Sequence, residues 1–442
     1  MRKPSVIFMN RVYAPSRGAS GRVLRDLARG FIREGWQVTV ITTGKKPGME
    51  LDGAVRVLRV KSAGKPKNAI AYAWIWLKMF IVALRQGAPH LLITQSDPPL
   101  LAVAGQVVAR FKKCRHIHWC HDVYPDLFPA LGAKFPKFIM RFMKSRTLSA
   151  LKAADKVVTI GRCMAKHLTN QGLESSKITM IPNWPDLELT QGDGGAAVSK
   201  SHKGLPPEKV WFEGAKPFDE QIKDGPKFRV LYAGNIGLAH PIETILAAAE
   251  VLNTDNPEIE FVFVGDGPRF DEISKRRGHG GLDNIRLLPY QPIERLRQIM
   301  ESGDVHLISM KDDAAGLLVP CKLYSAFAAQ RPCVFVGPSH CEAAHIIEEY
   351  KAGYVTAQGD VDALVAQIKN YRFNSDDWFA AQKGAAAAGE VFVPSAAIDA
   401  WVDRAWSVIK NEVPRPDEAS KKAAPKADES TQEKSKPHVE AA

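Results

Sequence analysis

No two cysteines of this 442-residue chain stand at the C-x-x-C spacing that zinc sites and redox motifs use. The six cysteines are scattered singly, and the opening residues MRKPSVIFMN run directly into a predicted strand, with no signal peptide before it. This pattern favours a reducing cytosol. It argues against disulfides and against a structural zinc site.

Long apolar runs are also missing. A membrane-spanning helix needs about 20 apolar residues, whereas the longest run, AIAYAWIWLKMFIVAL at Ala69–Leu84, is shorter and has Lys78 in its middle. We predict a buried or surface helix here, with a helix that dips into a membrane as the alternative. Residues Lys134–Lys152 mix Phe, Ile and Met with six basic residues. That composition is typical both of a helix lying on anionic lipid and of an ordinary solvated helix.

Negative charge is in deficit. The chain has 60 lysines and arginines against 48 aspartates and glutamates, which gives a formal net charge of +12. The excess predicts an anionic partner, which could be nucleic acid, an anionic membrane or a phosphorylated substrate. Nucleic acid is the least favoured of the three, because the basic residues are not interleaved with aromatic residues as they are in the usual modules.

The first half of the chain alternates strand-like and helix-like segments. Continuous apolar strands between amphipathic helices are typical of a parallel sheet covered on both faces, and we predict such a domain over residues 1–190. The predicted strands are Ser5–Met9, Gln37–Thr42, Val55–Val60, His90–Thr94, His116–Cys120 and Lys156–Thr159, and the helices are Gly21–Glu34, Ala69–Leu84 and Leu100–Phe111.

The alternation stops near Asp186 and resumes at Phe228. We expect a linker or insertion over 191–226, a second domain over 227–390 and a closing helical segment over 391–413. The tail 414–442 has almost no apolar residues and is expected to be disordered. The strands predicted for the second domain are Phe228–Tyr232, Glu260–Val264, Ile285–Leu287, Val305–Ser309, Cys333–Val336 and Gly353–Val355, and the closing helix is Ala396–Lys410.

Glycine-rich turns follow predicted strands in both halves, in the stretches PSRGASG, FRVLYAGNIG and IEFVFVGDGP. A strand, a glycine turn and a helix in a parallel sheet present backbone N–H groups and a helix N-terminus to a phosphate. The repetition predicts an α/β protein with two Rossmann-like domains that face each other across a central cleft, a layout suited to a nucleotide-activated substrate. The candidate binding residues in these turns are Gly18, Gly21, Asn235, Gly237, Gly265 and Asp266.

A histidine-rich stretch, HIHWCHD, ends one strand and enters a loop. Alternation places His116 and His118 on one face, where packing or surface roles are favoured, whereas His121 falls at the carboxyl end, where open α/β sheets bind ligands. The neighbouring Asp122 and Asp126 are suited to bind the imidazole or a hydroxyl-rich substrate. A metal site is disfavoured, because the histidines have strand spacing and lack matching Glu or Cys ligands.

The stretch LLVPCKLYSAFAA carries a second candidate site. We predict that Pro320 is the first residue of a helix and that Lys322 lies in its first turn. A cation there opposes the helix dipole, at a cost of a few tenths of a kcal/mol that a bound diphosphate would reverse. Lys322 is therefore a candidate for diphosphate binding.

Taken in order, these stretches resemble the family-four retaining glycosyltransferases of the GT-B fold, and most closely bacterial enzymes of exopolysaccharide, colanic-acid-type or O-antigen assembly. The resemblance covers about residues 5–370. It implies transfer of a sugar from a nucleotide donor with retention of anomeric configuration and without a metal or cofactor. The matched stretches are HWCHDVYPDLFPALG, VVTIGRCMAKHL, ITMIPNWPD, VLYAGNIGLAHPIETILAAAEVL, FVFVGDGP, VHLISM and VPCKLYSAFAAQRPCVFVG.

The resemblance also implies roles for single residues. His121 corresponds to a histidine that contacts the donor sugar, and Gly18 would line the loop between acceptor and donor. Asn235, Gly237 and Lys322 would approach the diphosphate. The loop before the predicted helix at VPCK, and the helix itself, would hold the diphosphate and the ribose.

The chain departs from the family pattern at two places. Many relatives carry two glutamates separated by seven residues, but the corresponding positions here are Leu317 and Ser325, with Asp312 and Asp313 just upstream. Many relatives place a basic pair after the first glycine turn of the second domain. This pair is missing here, and Asn235 and His240 stand roughly in its place. Because of these departures, the resemblance does not identify the nucleotide or the sugar of the donor.

The sequence thus predicts a retaining glycosyltransferase of hexosyltransferase type in bacterial surface polysaccharide synthesis. Its expected partners are a UDP-, GDP- or dTDP-sugar, a lipid-linked glycan acceptor and an anionic membrane, with no nucleic acid. We expect it in the cytoplasm, peripheral to the inner face of the cytoplasmic membrane. One alternative is a non-hydrolysing sugar-nucleotide epimerase, which would carry more acids around the sugar. The other is a degenerate, non-catalytic binding subunit, which the absent glutamates favour and the glycine turns oppose.

Overall fold

The structure is a computed structural model that describes residues 3–15, 18–62, 66, 68–190, 227–413 and 415. Its strands are β1 Ser5–Met9, β2 Gln37–Gly44, β3 Gly48–Asp52, β4 Val55–Lys61, β5 Leu91–Gln95, β6 Arg115–Cys120, β7 Lys156–Thr159, β8 Ile178–Met180, β9 Phe228–Asn235, β10 Ile259–Asp266, β11 Ile285–Pro289, β12 Val305–Ser309, β13 Cys333–Val336 and β14 Gly353–Thr356. The predicted linker 191–226 lies outside the described residues, as does Arg17 in the first glycine turn. The tail 414–442, predicted to be disordered, also lies outside them, apart from Arg415.

The helices lie between these strands and cover both sheets. They are α1 Ala19–Arg33, α2 Ala69–Arg85, α3 Leu101–Lys112, α4 Lys137–Ala153, α5 Arg162–Asn170, α6 Leu187–Thr190, α7 Glu243–Asp255, α8 Phe270–Gly280, α9 Leu296–Ser302, α10 Lys322–Ala328, α11 Glu342–Tyr350, α12 Val361–Phe373, α13 Ser375–Val391 and α14 Pro394–Ile409.

The N-terminal sheet has the strand order β3-β4-β2-β1-β5-β6-β7-β8, in which β3 is antiparallel to β4 and the other neighbours are parallel. The order reverses between β1 and β5. Because crossovers between parallel strands are right-handed, α1 lies on one face and α2, α3 and α4 lie on the other. The core clusters agree with this placement, since Phe8 packs in the same cluster as Leu27 of α1, whereas Met9 packs in the same cluster as Met79 of α2.

The C-terminal sheet has the order β11-β10-β9-β12-β13-β14, and all neighbouring strands are parallel. Its strands are apolar throughout; in β10 every residue from Ile259 to Gly265 is buried. The order reverses between β9 and β12. Open parallel sheets bind their ligands at the carboxyl ends of the strands beside such a reversal, so each sheet offers one binding edge.

The last helix, α14, returns to the N-terminal sheet. The Trp401 ring lies 4.7 Å from the Trp119 ring of β6, and the Trp406 ring lies 5.0 Å from that of Trp36. A Cβ atom placed on Gly30 of α1 would stand 2.3 Å from the Ile398 side chain, so the two helices are in close contact there. The N-terminal domain therefore completes its core with a segment from the end of the folded chain.

The predicted α/β fold with two Rossmann-like sheets is confirmed, and the predicted strands agree with the observed ones to within three residues at each end. Two of the described strands, β3 and β8, were not predicted, and no bounds were predicted for α5, α6 or most helices of the second domain. The strand β3 is almost entirely exposed and has no apolar period that a prediction could use. The signal that was available is the Asp52-Gly53 dipeptide, since Asp-Gly between two strands is typical of a hairpin turn.

One stretch of the described residues, Ser375–Ile409, is long and apolar enough to cross a membrane by length and composition alone. It consists of α13 and α14. Both helices bury large side chains in the protein core, Trp378 from α13 and Trp401 from α14. Packing against the two sheets accounts for the apolar composition of this stretch.

Candidate active site at the meeting of the two sheets

The binding edges of the two sheets contact each other. Asp122, which follows β6, forms an isolated antiparallel bridge with Leu318, in the loop before α10. The backbone N–H of Val123 donates to the carbonyl of Leu317 across a distance of 2.8 Å. The structure therefore brings the histidine-rich loop of the first domain directly against the loop that precedes Lys322 in the second.

His121 is buried at this edge, with only 7% of its surface exposed. Its ring lies 4.4 Å from the ring of Trp119, and its Nε2 lies 3.3 Å from the side-chain nitrogen of Gln95. Burial lowers the pKa of the imidazole to about 3. At neutral pH the ring is therefore uncharged and offers one hydrogen-bond donor and one acceptor.

The loop that carries His121 is held by a single hydroxyl. Ser96 Oγ, which follows β5, accepts the backbone N–H groups of His121 and Asp122 at 2.9 and 3.1 Å. The adjacent Gln95 has a buried side-chain oxygen without a hydrogen-bond partner. No sequence motif marks Gln95 or Ser96, and their position at the end of the neighbouring strand was the only available signal.

Asp122 is partly buried in this contact between the domains. Burial raises the pKa of its carboxyl group to about 7, and the charge of Asp97 adds to this rise. Near neutral pH the group can therefore either hold or release a proton. A carboxyl in this state can donate a hydrogen bond when protonated and accept one when ionised.

Lys322 supplies a cation from the opposite edge. Its Nζ donates to the carbonyl of Asn235 at 2.9 Å and lies 4.9 Å from the centre of the Tyr232 ring. Burial lowers the pKa of the ammonium to about 8, so it is mostly charged at pH 7. The predicted helix start is wrong by two residues: α10 begins at Lys322 itself, with Cys321 as its N-cap, and Pro320 lies before it in the loop.

Ser325 lies one turn after Lys322 on α10 and is partly exposed. Leu317, at the other position where many relatives have a glutamate, has a buried side chain, and its carbonyl is used in the contact between the domains. Asp312 and Asp313 lie in an exposed 3-10 turn upstream. His240 Nδ1 donates to the Ser309 carbonyl at 2.6 Å, and burial lowers the pKa of its imidazole to about 3.

The glycine turns of the second domain pack against each other. A Cβ atom on Gly265 would stand 2.2 Å from the Gly234 carbonyl oxygen, and one on Gly267 would stand 2.5 Å from the Ile236 carbonyl oxygen. Asp266 accepts the Gly267 N–H at 2.7 Å. These glycines thus allow the ends of β9 and β10 to approach closely. Gly237 is less crowded, since its nearest neighbour would be the Asn235 side chain at 3.1 Å.

The first glycine turn serves a similar close approach. Gly18 is the N-cap of α1 and has a φ of 154°. A Cβ atom on Gly21 would stand 2.7 Å from the Val12 side chain and 2.9 Å from its carbonyl carbon. The two glycines therefore bring the start of α1 against the loop after β1. Nearby, Arg22 forms an ion pair with Asp186 at 2.8 Å.

The other two histidines of the stretch are buried packing residues. His116 Nε2 and His118 Nδ1 each lie 2.9 Å from the hydroxyl of Thr94 on the neighbouring strand. Burial lowers the pKa of His116 to about 4 and that of His118 to about 3. The shared face expected from strand alternation is confirmed, since both rings bond Thr94, whereas His121 contacts Trp119 and Gln95.

Known families match both halves of the chain. Residues 18–184 match the family described as a glycosyl transferase 4-like domain, and residues 215–376 match the family described as glycosyl transferases group 1. WcaI of Escherichia coli (strain K12), named for colanic acid biosynthesis, is 28% identical over 297 residues, 65% of this chain and 68% of WcaI. WbjE of Pseudomonas aeruginosa, named as a glycosyltransferase, is 25% identical over 279 residues, 63% of this chain and 65% of WbjE.

Solved structures with the same fold include HepE of Anabaena in complex with UDP-glucose (TM-score 0.65, 14% identity, 91% of this chain and 99% of HepE). Sucrose-phosphate synthase of Thermosynechococcus elongatus has a TM-score of 0.70 at 14% identity, over 92% of this chain and all of the synthase. WaaG, a glycosyltransferase involved in lipopolysaccharide biosynthesis, has a TM-score of 0.62 at 13% identity, over 89% of this chain and 99% of WaaG. With the two family matches in this order along the two sheets, the chain belongs to the glycosyltransferases of the GT-B fold.

Proposed function

We propose that the protein transfers a sugar from a nucleotide-sugar donor to a lipid-linked glycan, with retention of anomeric configuration, in the synthesis of a bacterial surface polysaccharide. The observation that carries this proposal is the contact between a neutral polar edge, at His121 and Asp122, and a cationic edge, at Lys322. The names of WcaI, for colanic acid, and WaaG, for lipopolysaccharide, support the polysaccharide role. The complex of HepE with UDP-glucose supports a nucleotide-sugar donor.

The cationic edge suits the leaving group. When the bond between the anomeric carbon and the phosphate oxygen breaks, negative charge develops on the nucleoside diphosphate. A fixed cation at that point stabilises the transition state more than the ground state. Lys322 supplies this charge from the chain itself, which is why we propose a reaction that needs no metal. We assign the Ser325 hydroxyl, one turn further along α10, to the ribose.

The neutral edge suits the sugar. An uncharged imidazole and a carboxyl with a pKa near 7 form hydrogen bonds with hydroxyl groups without adding a net positive charge. We propose that His121 binds a hydroxyl of the donor sugar and that Asp122 orients either the sugar or the acceptor hydroxyl. The backbone of the first glycine turn, at Gly18 and Gly21, lies at the same edge and would line the acceptor side.

A panel of UDP-, GDP- and dTDP-sugars in a thermal-shift assay tests donor binding, because a ligand of the folded state raises the melting temperature. The best donor is then incubated with a membrane lipid extract, with and without EDTA, and the product linkage is read by NMR. We expect one nucleotide to dominate and an EDTA-insensitive product with the donor's anomeric configuration. Epimerised donor without acceptor would support an epimerase, and a thermal shift without turnover would support a binding subunit. Both outcomes contradict the proposal.

We also propose that the protein acts in the cytoplasm at the inner face of the membrane, where nucleotide sugars and lipid-linked acceptors meet. The six unpaired cysteines support a reducing compartment. Fractionation of cells followed by immunoblotting tests this location, and recovery outside the cytoplasm and its membrane would contradict it.

A further inference from the structure

Three helices of the N-terminal domain form one layer on the same face of the sheet. The helices α2 and α3 share a core cluster, in which Met79 and Ala83 pack with Ala104 and Val108. The helices α3 and α4 line one small cavity beside β6, with Leu101 on one side and Leu151 on the other. The order α2-α3-α4 therefore continues across the sheet, and the side of this layer that faces away from the sheet forms a continuous surface.

This outward side exposes large apolar side chains on all three helices. Trp74 is 58% exposed, Phe111 is 73% exposed and Phe138 is 74% exposed. Soluble monomers carry exposed apolar residues mainly as single positions, and a contiguous group of this size marks an interaction site. We call this group the outer surface; its members are Ile70, Trp74, Leu77, Ile81, Val107, Phe111, Phe138 and Phe142.

The charged residues of these three helices all have one sign. The three helices contain nine lysines or arginines and no aspartate or glutamate. In α4 the basic and aromatic residues share the exposed side, and the Arg146 guanidinium lies 5.5 Å from the centre of the Phe142 ring. One of the nine, Lys144, pairs with the largely buried Asp126 at 2.8 Å. Exposed apolar side chains among the remaining basic residues match an anionic lipid surface, where the rings enter the interface and the cations meet the headgroups.

The C-terminal domain offers an internal comparison. Its exposed large apolar residues lie singly on separate elements: Leu238, Val251, Ile293, Phe373 and Val391. Its outer helices α7, α8 and α12 each contain acidic residues in the first turn. Neither the grouping nor the single sign of charge is found there among the described residues.

We propose that the outer surface docks on an anionic lipid bilayer. The inference does not depend on the reaction that the protein catalyses. It adds to the sequence-based expectation by including α3, whose Val107 and Phe111 no sequence pattern singled out. It also places the candidate site close to the membrane, because Trp76 of α2 donates its indole N–H to the Leu100 carbonyl at 3.2 Å. Leu100 belongs to the same loop as Ser96, which holds the His121 loop.

Flotation of the full chain with vesicles tests the proposal. Vesicles of phosphatidylcholine alone and with 30% phosphatidylglycerol (roughly the anionic content of a bacterial membrane) are compared in low and high salt. We expect binding to the anionic vesicles that weakens at least tenfold in high salt, and little binding to phosphatidylcholine. An absence of binding in low salt, or equal binding to both vesicle types, would overturn the proposal.

Matched variants locate the contact. The triple variant Trp74→Ser, Phe111→Ser, Phe138→Ser and the charge variant Lys137→Glu, Arg141→Glu should each lose at least tenfold in vesicle affinity at an unchanged melting temperature. The control Phe373→Ser removes an equally exposed ring from the C-terminal domain and should bind as wild type. If the variants bind vesicles normally, the proposal is wrong. Soluble polyglutamate serves as a probe for an acidic protein partner: if the charge variant loses binding to polyglutamate but not to vesicles, the surface serves such a partner, and the proposal is also wrong. Donor binding in solution, measured in parallel, reports separately on the proposed function.

Discussion

The two sheet edges that meet at the candidate site differ in the charge of their side chains at neutral pH. The edge of the N-terminal sheet buries polar groups that are neutral at pH 7 or close to neutrality, with an imidazole of pKa about 3 and a carboxyl of pKa about 7. The edge of the C-terminal sheet presents an ammonium group that stays mostly charged. From this difference we propose a division of binding, with hydroxyl groups against the first edge and an anion against the second.

The largest expected effect comes from the neutral edge. His121→Ala should lower sugar transfer by roughly a hundredfold or more, the scale seen when one positioned hydrogen-bonding group is removed from an active site. Affinity for the nucleoside diphosphate should change little, because the imidazole is assigned to the sugar. Steady-state kinetics and calorimetry with UDP, GDP or dTDP measure the two quantities.

His118→Ala is the matched control for this variant. His118 is buried on the same strand and bonds Thr94, so its loss should lower the melting temperature while the folded fraction keeps its activity. If His121→Ala behaves in this same way, with lowered stability and normal kcat, His121 is a packing residue and the division between the edges fails.

A smaller effect is expected from the cationic edge. Lys322→Met should weaken binding of the preferred nucleoside diphosphate by about 1.5–3 kcal/mol, the usual size of a hydrogen bond to a charged group. Lys311→Met is the control, since Lys311 also donates to a backbone carbonyl near the contact between the domains, that of Ala130 at 2.9 Å. Equal affinity of wild type and Lys322→Met in calorimetry would place the diphosphate elsewhere.

The pH dependence of binding sharpens the same comparison. Because the Lys322 pKa is about 8 in the free protein, the ammonium is charged below pH 8 and loses its proton above it. Diphosphate affinity should be level below about pH 7, fall by about half by pH 8 and fall by up to about a further fivefold between pH 8 and 9. Lys322→Arg should remove this fall, because guanidinium keeps its charge. A fall that persists in the arginine variant would have to come from another group.

The smallest effect concerns stability. The Asp122 pKa of about 7 lies above the value of about 3.9 for an unfolded chain. The wild type is therefore stabilised by the protonated form below pH 4, and it loses that contribution as the pH rises towards 7. In Asp122→Asn the side chain stays neutral, so its melting temperature relative to wild type should rise by about 2 °C or more between pH 4 and 7. A constant difference across this range would show that the carboxyl ionises freely.

Much of the fold could be predicted from the sequence because the central strands are continuous apolar runs. β7, β12 and β13 have the predicted bounds, and each is buried along nearly its whole length. The strand β3 was missed because its pairing with β4 depends on a turn and on backbone hydrogen bonds, and its side chains carry no buried pattern. The start of α10 was placed too early because proline marks a preferred first position, but here it belongs to the loop.

The candidate site was predictable only in part. Position at the carboxyl end of a strand was enough to single out His121, since the parallel fold determines where strand ends lie, and a cation in the first turn of a helix was enough to single out Lys322. The partners of these residues come from elsewhere in the chain: Ser96 is 25 residues from His121, and Asn235 is 87 residues from Lys322. The contact of Asp122 with Leu318 joins two domains. No local pattern encodes such pairs, because they depend on how the sheets are arranged relative to each other.

The return of α14 to the first sheet has a consequence for biogenesis. During synthesis, the first domain emerges from the ribosome long before residues 394–409, and until then Trp36 and Trp119 lack the tryptophan rings of α14 that pack against them. A nascent chain that ends near residue 190 is therefore expected to remain loosely packed, with apolar surface available to chaperones. Completion of the first domain would coincide with completion of the second, so that the ribosome releases both domains as one cooperative unit. Limited proteolysis of ribosome-bound chains of increasing length would reveal the point at which the first domain becomes resistant.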